Sequence, residues 1–274
     1  MPEPGPPGEP ARPGRSHSDT VRRGEGGGKG RRGFTWGAAL ADLVVPLECG
    51  GCGRPGERWC AGCAETLAGP LLRIRTRADL TAPAWALARH TGAAAHAVSA
   101  YKDRGRADLA RTFGAALAVG IDRLRAAGEI AEAGERPVVL VPAPASARAR
   151  RRRGLDHMRV VADAVAADLV GSVPPDTAAV APLLEVQGRV RDASGLGAQA
   201  RTDNLAGRIR RRPADTALRA SPGAPETVAA LLCTPATILV VDDVVTTGAT
   251  AAACVAALGS GGLKVAGVLA LTAA

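Results

Sequence analysis

Apolar residues recur along this chain with two different periods. Short runs rich in Val, Leu and Ile occur at Pro137 to Val141, Ile238 to Val241 and Leu263 to Leu271, and another apolar run spans Ala84 to His90. Each reads as a strand, and Ile238 to Val241, apolar and mostly β-branched, as one buried on both faces, as in a parallel sheet. Between these runs the spacing becomes helical. Leu109, Phe113, Ala116 and Leu117 share one face of a helix reaching Leu124, and Leu155, Met158, Val161, Ala162, Val165 and Leu169 share one face of another. Ala93 to Ala100 begins a helix, and Ala251 to Leu258 forms an alanine-rich one. Brief strands are expected at Leu183-Leu184 and Arg208 to Arg212, and short helices at Phe34 to Val45 and Arg201 to Gly207. Strands alternating with helices predict an α/β fold with a central parallel sheet. Ligands of such sheets bind past the carboxyl ends of the strands, near a switch in strand order. The loops after Val141 and after Val241 are therefore expected to face one crevice.

The flanks differ from this pattern. Residues 1–33 are rich in Pro, Gly and Arg with almost no apolar side chains, which predicts a disordered tail. Residues 34–75 form a small module, and residues 76–274 the main domain. Gln187 to Ala200 is polar and glycine-containing, as in a mobile loop, and Ala214 to Thr234 reads as a surface insertion.

The module carries two C-x-x-C pairs, Cys49 with Cys52 and Cys60 with Cys63. Two such knuckles place four thiolates tetrahedrally around one zinc, with no open position for catalysis. Disulfides or a redox pair are the alternatives; a redox site needs only one C-x-x-C. Cys233 and Cys254 are isolated and read as core or near-core residues.

Thr237 to Thr250 is the most specific stretch. The strand Ile238 to Val241 ends in Asp242 and Asp243, and Thr246-Thr247-Gly248-Ala249-Thr250 leads into the alanine-rich helix. Backbone N–H groups at such a turn and helix start hold phosphate. Adjacent carboxylates accept hydrogen bonds from vicinal hydroxyls. The combination suits a sugar phosphate. A buried strand with an Asx-type turn and a threonine N-cap is the plainer reading, and it leaves two carboxylates and three threonines without a task.

Composition adds bounds. The 274 residues are 46% hydrophobic but only 2% aromatic, so the core is built from Ala, Val and Leu, and a surface that stacks successive bases is disfavoured. A net charge of +9 favours polyanionic partners, or reflects heavy use of arginine throughout. No apolar run reaches bilayer length and no apolar leader segment is present, so a cytoplasmic protein without a membrane partner is expected.

The Thr237 to Thr250 segment resembles the ribose-phosphate signature of type I phosphoribosyltransferases, which bind 5-phosphoribosyl 1-pyrophosphate (PRPP). YKDRGR at Tyr101 to Arg106, VPAP at Val141 to Pro144, RRRGLDH at Arg151 to His157 and RTDNL at Arg201 to Leu205 precede it in that order, after the four cysteines. The arrangement resembles the ComF family over about Leu40 to Leu271: a zinc ribbon joined to a phosphoribosyltransferase domain, in proteins linked to DNA uptake during natural transformation. Where that family shows Arg-Gly-Phe-Asn-Gln, this chain has Arg153-Gly154-Leu155-Asp156-His157, which puts the role of the amide pair in question.

The resemblance implies a type I phosphoribosyltransferase-like fold and displacement of pyrophosphate at the anomeric carbon, through a positively charged transition state. Asp242 and Asp243 would hold the ribose hydroxyls. Val244, Thr246, Thr247, Gly248, Ala249 and Thr250 would line the PRPP site, and Mg²⁺ would bridge pyrophosphate and ribose oxygens. Lys102 and Arg153 are candidates for the pyrophosphate, against the alternative of a solvated charge run. Of the histidines, His157 can approach the crevice. A second function class stays open: a non-catalytic accessory of DNA uptake that binds single-stranded DNA or a competence helicase. Oligomeric state and acceptor are not legible.

Overall fold

The computed structural model describes residues 47–172, 177–188, 208–212, 229–230 and 232–274. The tail, the Phe34 to Val45 helix, the Arg201 to Gly207 helix, and most of the Gln187 to Ala200 loop and the Ala214 to Thr234 insertion lie outside these residues.

The elements in chain order are α1 (Ala61–Ala64), β1 (Leu72–Arg73), β2 (Ala84–Arg89), α2 (Gly92–Asp103), α3 (Leu109–Ala126), β3 (Val138–Pro142), α4 (Ala147–Arg153), α5 (His157–Val170), β4 (Ala178–Val180), β5 (Leu184–Val186), β6 (Ile209–Arg211), β7 (Thr237–Val245), α6 (Ala249–Gly259) and β8 (Val265–Ala273). The fold is mixed α/β. The main sheet runs β1-β2-β8-β7-β3-β4, and β5 pairs with β6 in a separate ribbon. All neighbours in the main sheet are parallel except β1, which lies antiparallel on β2.

Alternation along the strands sorts the core into two layers, because successive side chains leave a strand on opposite faces. Val138, Leu140, Leu239, Val241, Leu269 and Leu271 pack with α2, α3 and α5. Val139, Val141, Ile238, Val240, Val268 and Ala270 pack with α6 and the β5–β6 ribbon. Both faces are covered, which is why these strands read as continuous apolar runs. Close helix contact needs small residues: a Cβ on Gly114 of α3 would lie 2.4 Å from that of Ala164 on α5.

β3 and β7 are adjacent, but their chains depart in opposite directions, β3 toward the edge strand β4 and β7 toward β8. The crevice past their carboxyl ends is thus the switch point expected for a ligand site.

The structure also alters the reading of several elements. β7 runs on to Val245, so the acidic pair lies within the strand rather than beyond it. β8 accompanies it as far as Ala273 and supplies the backbone partners. The arginine run forms α4, N-capped by Ser146, whose hydroxyl accepts from the Ala149 N–H at 3.2 Å, and closed by Gly154 at φ 73°. The short strands β1 and β4 carry too few residues to show a period.

Candidate functional site

The residues around the switch point enclose a cavity of about 230 Å³. β7 and its turn contribute Asp242, Asp243, Val244, Thr246 and Thr250. The loop after β3 contributes Ala143 to Ser146, α4 contributes Ala149 and Arg153, α2 contributes Lys102, and α5 contributes His157 and Met158. The loops after Val141 and Val241 therefore do meet.

Parity along β7 separates the two carboxylates. Asp243 continues the face of Leu239 and Val241 and meets α2 and α5. The Lys102 Nζ lies 2.7 Å from its Oδ2, and the His157 Nε2 lies 2.9 Å from the same oxygen. Burial works to raise Asp243, but Lys102 and His157 outweigh it and hold the carboxyl well below the usual range. Asp242 lies near Cys254 of α6, whose thiol is pushed up by burial and by the Asp242 charge. The Asp242 Oδ1 accepts the Asp243 backbone N–H at 2.8 Å. Burial, then the Asp243 charge, push Asp242 up to about 7. One strand thus carries two neighbouring carboxyls of opposite tendency, the situation found where paired groups take different tasks.

Asp243 Oδ2 is taken by Lys102 and His157 and Asp242 Oδ1 by a backbone N–H, and both carboxyl groups border the cavity. These are hard oxygen donors at the cavity, a donor set that suits ligand hydroxyls or Mg²⁺.

The turn is built tightly. Gly248 has φ 84° and N-caps α6, and a Cβ there would lie 2.3 Å from Thr76 Cγ2. The Ala78 N–H donates to the Thr247 carbonyl at 3.0 Å, so the segment before β2 straps the turn. Among the described residues, the N–H groups of Gly248, Ala249 and Thr250 donate to no backbone carbonyl, as at any helix start. Of the expected site residues, Thr247, Gly248 and Ala249 shape the turn, and the others border the cavity.

Sequence reasoning gave no site role to four contributors, Tyr101, Thr272, His90 and Ser146. The Tyr101 Oη donates to the His157 carbonyl at 2.7 Å. The Thr272 hydroxyl donates to the Asp243 carbonyl at 3.3 Å, and His90 Nδ1 lies 2.8 Å from that hydroxyl. Ser146 reaches the cavity through the cap of α4. Contacts between residues so far apart in sequence leave no local pattern.

The four cysteines form a second cluster. Their Sγ atoms all lie within 4.8 Å of one another, so they could hold a metal ion. Cys49 to Cys60 is 3.7 Å and Cys52 to Cys60 is 3.6 Å. A zinc–sulfur bond of about 2.3 Å gives a tetrahedron edge of about 3.8 Å, so the donor set fits. Burial opposes ionisation of Cys49, but the N–H groups of Cys52, Cys60 and Gly51 outweigh it and lower the thiol to about 6. The cluster is seated on the helices: Cβ atoms on Gly50 and Gly51 would lie 2.6 Å from Leu109 Cδ1 and 2.8 Å from Cys63 Sγ. Trp59 meets Phe113 edge to face at 6.3 Å. The Arg106 Nη1 donates to the Glu48 carbonyl at 2.9 Å, and Arg106 also binds Asp108 through two nitrogens.

Among the described residues, no helix is long and apolar enough to cross a membrane. Compared with known proteins, the chain matches no family model and no curated protein.

Proposed function

We propose that this chain is a phosphoribosyltransferase-type protein of the ComF kind, binding PRPP with Mg²⁺, with a structural zinc in its four-cysteine cluster. One observation carries the reading. Asp242 and Asp243, the start of α6, and the cations Lys102 and Arg153 border a single cavity at the switch point of a parallel sheet. A sugar carrying a phosphate at one end and a pyrophosphate at the other has the complementary groups.

In this reading the Asp242 and Asp243 carboxylates take the ribose hydroxyls. The N–H groups opening α6, with Thr246 and Thr250, take the 5′-phosphate. Lys102 and Arg153 face the pyrophosphate, and their charge favours its departure. Mg²⁺ would neutralise the phosphates, held by the carboxylate oxygens together with the ligand. The two anions beside the sugar would stabilise positive charge developing at its anomeric carbon.

The test is a thermal-shift titration with PRPP, with and without Mg²⁺, followed by measurement of pyrophosphate release with a panel of nucleobases and amines. A ligand that prefers the folded state raises apparent stability by mass action. A saturable, Mg²⁺-dependent shift lost in Asp242→Asn with Asp243→Asn supports the reading, and no shift at millimolar PRPP rejects it. Pyrophosphate release separates an enzyme from a binder.

A further inference from the structure

We infer that His157 is a positioning residue for Asp243, fixed as the Nε2–H tautomer by Arg153, so that the Asp243 carboxylate at the cavity is held in one orientation through its Oδ2. The ligand part of this inference rests on the function proposed above.

The geometry leaves one protonation pattern. The Arg153 Nη1 lies 3.2 Å from His157 Nδ1, and a guanidinium has donors but no acceptor. Nδ1 must therefore accept, and the single ring proton sits on Nε2, which donates to Asp243 Oδ2 at 2.9 Å. Arg153 is itself held, because its Nε donates to the Lys102 carbonyl at 2.8 Å. The His157 backbone is anchored by the Tyr101 hydroxyl, which donates to the His157 carbonyl. His157 and Lys102 converge on one oxygen, Oδ2, from two helices, at a carboxyl that borders the cavity. Only 7% of the His157 side chain is exposed, which shields this arrangement from water. A glutamine amide offers the same donor and acceptor, so Asp156-His157 in place of Asn-Gln need not cost this role.

The charged and titratable groups around Asp243 are Lys102 and Tyr101 from α2, Arg153 and His157 from α4 and α5, Asp242 from its own strand, and His90 through Thr272. The experiment uses the full-length protein, ¹⁵N- and ¹³C-labelled, with His157 assigned by substitution. Long-range ¹H–¹⁵N correlations are expected to show Nδ1 unprotonated and Nε2 protonated at neutral pH. Arg153→Met, which leaves the histidine in place, is expected to abolish that exclusive pattern. The His157 Nε2–H proton is expected far downfield and slow to exchange with water, as for a buried proton held on the Asp243 carboxylate.

PRPP affinity with Mg²⁺ is expected to fall about tenfold or more in His157→Leu, as for loss of a hydrogen bond to a charged group, and to recover in His157→Gln. A proton on Nδ1, or an Nε2–H that exchanges freely with water, overturns the inference whatever PRPP does. Should wild type ignore PRPP while the NMR results stand, the functional reading fails and the positioning of Asp243 survives. Wild-type binding with equal affinity in His157→Leu overturns the ligand part alone.

Discussion

Lys102 and Asp243, 141 positions apart in the chain, meet at 2.7 Å across the crevice, the lysine one-third exposed and the aspartate almost wholly buried. Burial tends to lower Lys102, but Asp243 more than offsets this and raises it. The same contact helps to depress Asp243. Each group thus stabilises the charged form of the other, at the point where the proposed ligand would bring further charge.

Lys102→Met should therefore lower stability, in a pH-dependent way. Asp243 has a depressed folded-state pKa, so its stabilising contribution is present above the unfolded carboxylate value, about 4, and is lost as pH falls below it. Thermal scans between pH 3 and 8 should show the gap between wild type and variant widest at neutral pH and closing in acid. A gap constant across that range contradicts the pairing.

Asp242 behaves in the opposite sense. Its pKa is raised to about 7, so between about 4 and about 7 the folded protein binds more protons than the unfolded chain. Its contribution to stability consequently falls as pH rises through that window. Asp242→Asn removes the cost. At pH 8 the ligand-free variant should melt on the order of 5 °C above wild type, and at pH 4 the two should coincide. A variant that melts lower at pH 8 counts against a strained acidic pair.

Gly248→Ala should destabilise the turn by roughly 2 kcal/mol or more, since a left-handed backbone and a blocked Cβ position act together. Thr76 is the obstructing side chain. Thr76→Gly in the same chain should restore part of the loss, leaving the backbone term. Denaturant melts of both single variants and the double variant measure the coupling, and strict additivity would show that strap and turn are independent.

Purified protein should contain about one zinc per chain, and Cys49→Ser should release it. Trp59 on Phe113, Gly50 on Leu109 and Arg106 on the Glu48 carbonyl tie the cluster to α3 and to the loop before it. Metal loss should therefore lower the main unfolding transition as well as loosening the module. Metal analysis and calorimetry decide this; an unchanged main transition would make the cluster an independent appendage.

Much of this architecture was legible in the chain, because burial on both faces leaves unbroken apolar runs such as Ile238 to Val241, and one-sided burial leaves helical spacing such as Met158, Val161 and Val165. The C-x-x-C pairs and the Asp242 to Thr250 segment announced their chemistry for a related reason: a metal knuckle and a helix-start turn are both local, so their residues must be neighbours in sequence. What the tertiary structure alone decided is how the acidic pair is divided. Strand parity sends Asp243 to Lys102 and His157 and leaves Asp242 beside Cys254, and Tyr101, Arg153 and Thr272 arrive from elements far along the chain. Electrostatic partners of that kind are fixed by packing distance, which a one-dimensional pattern does not contain.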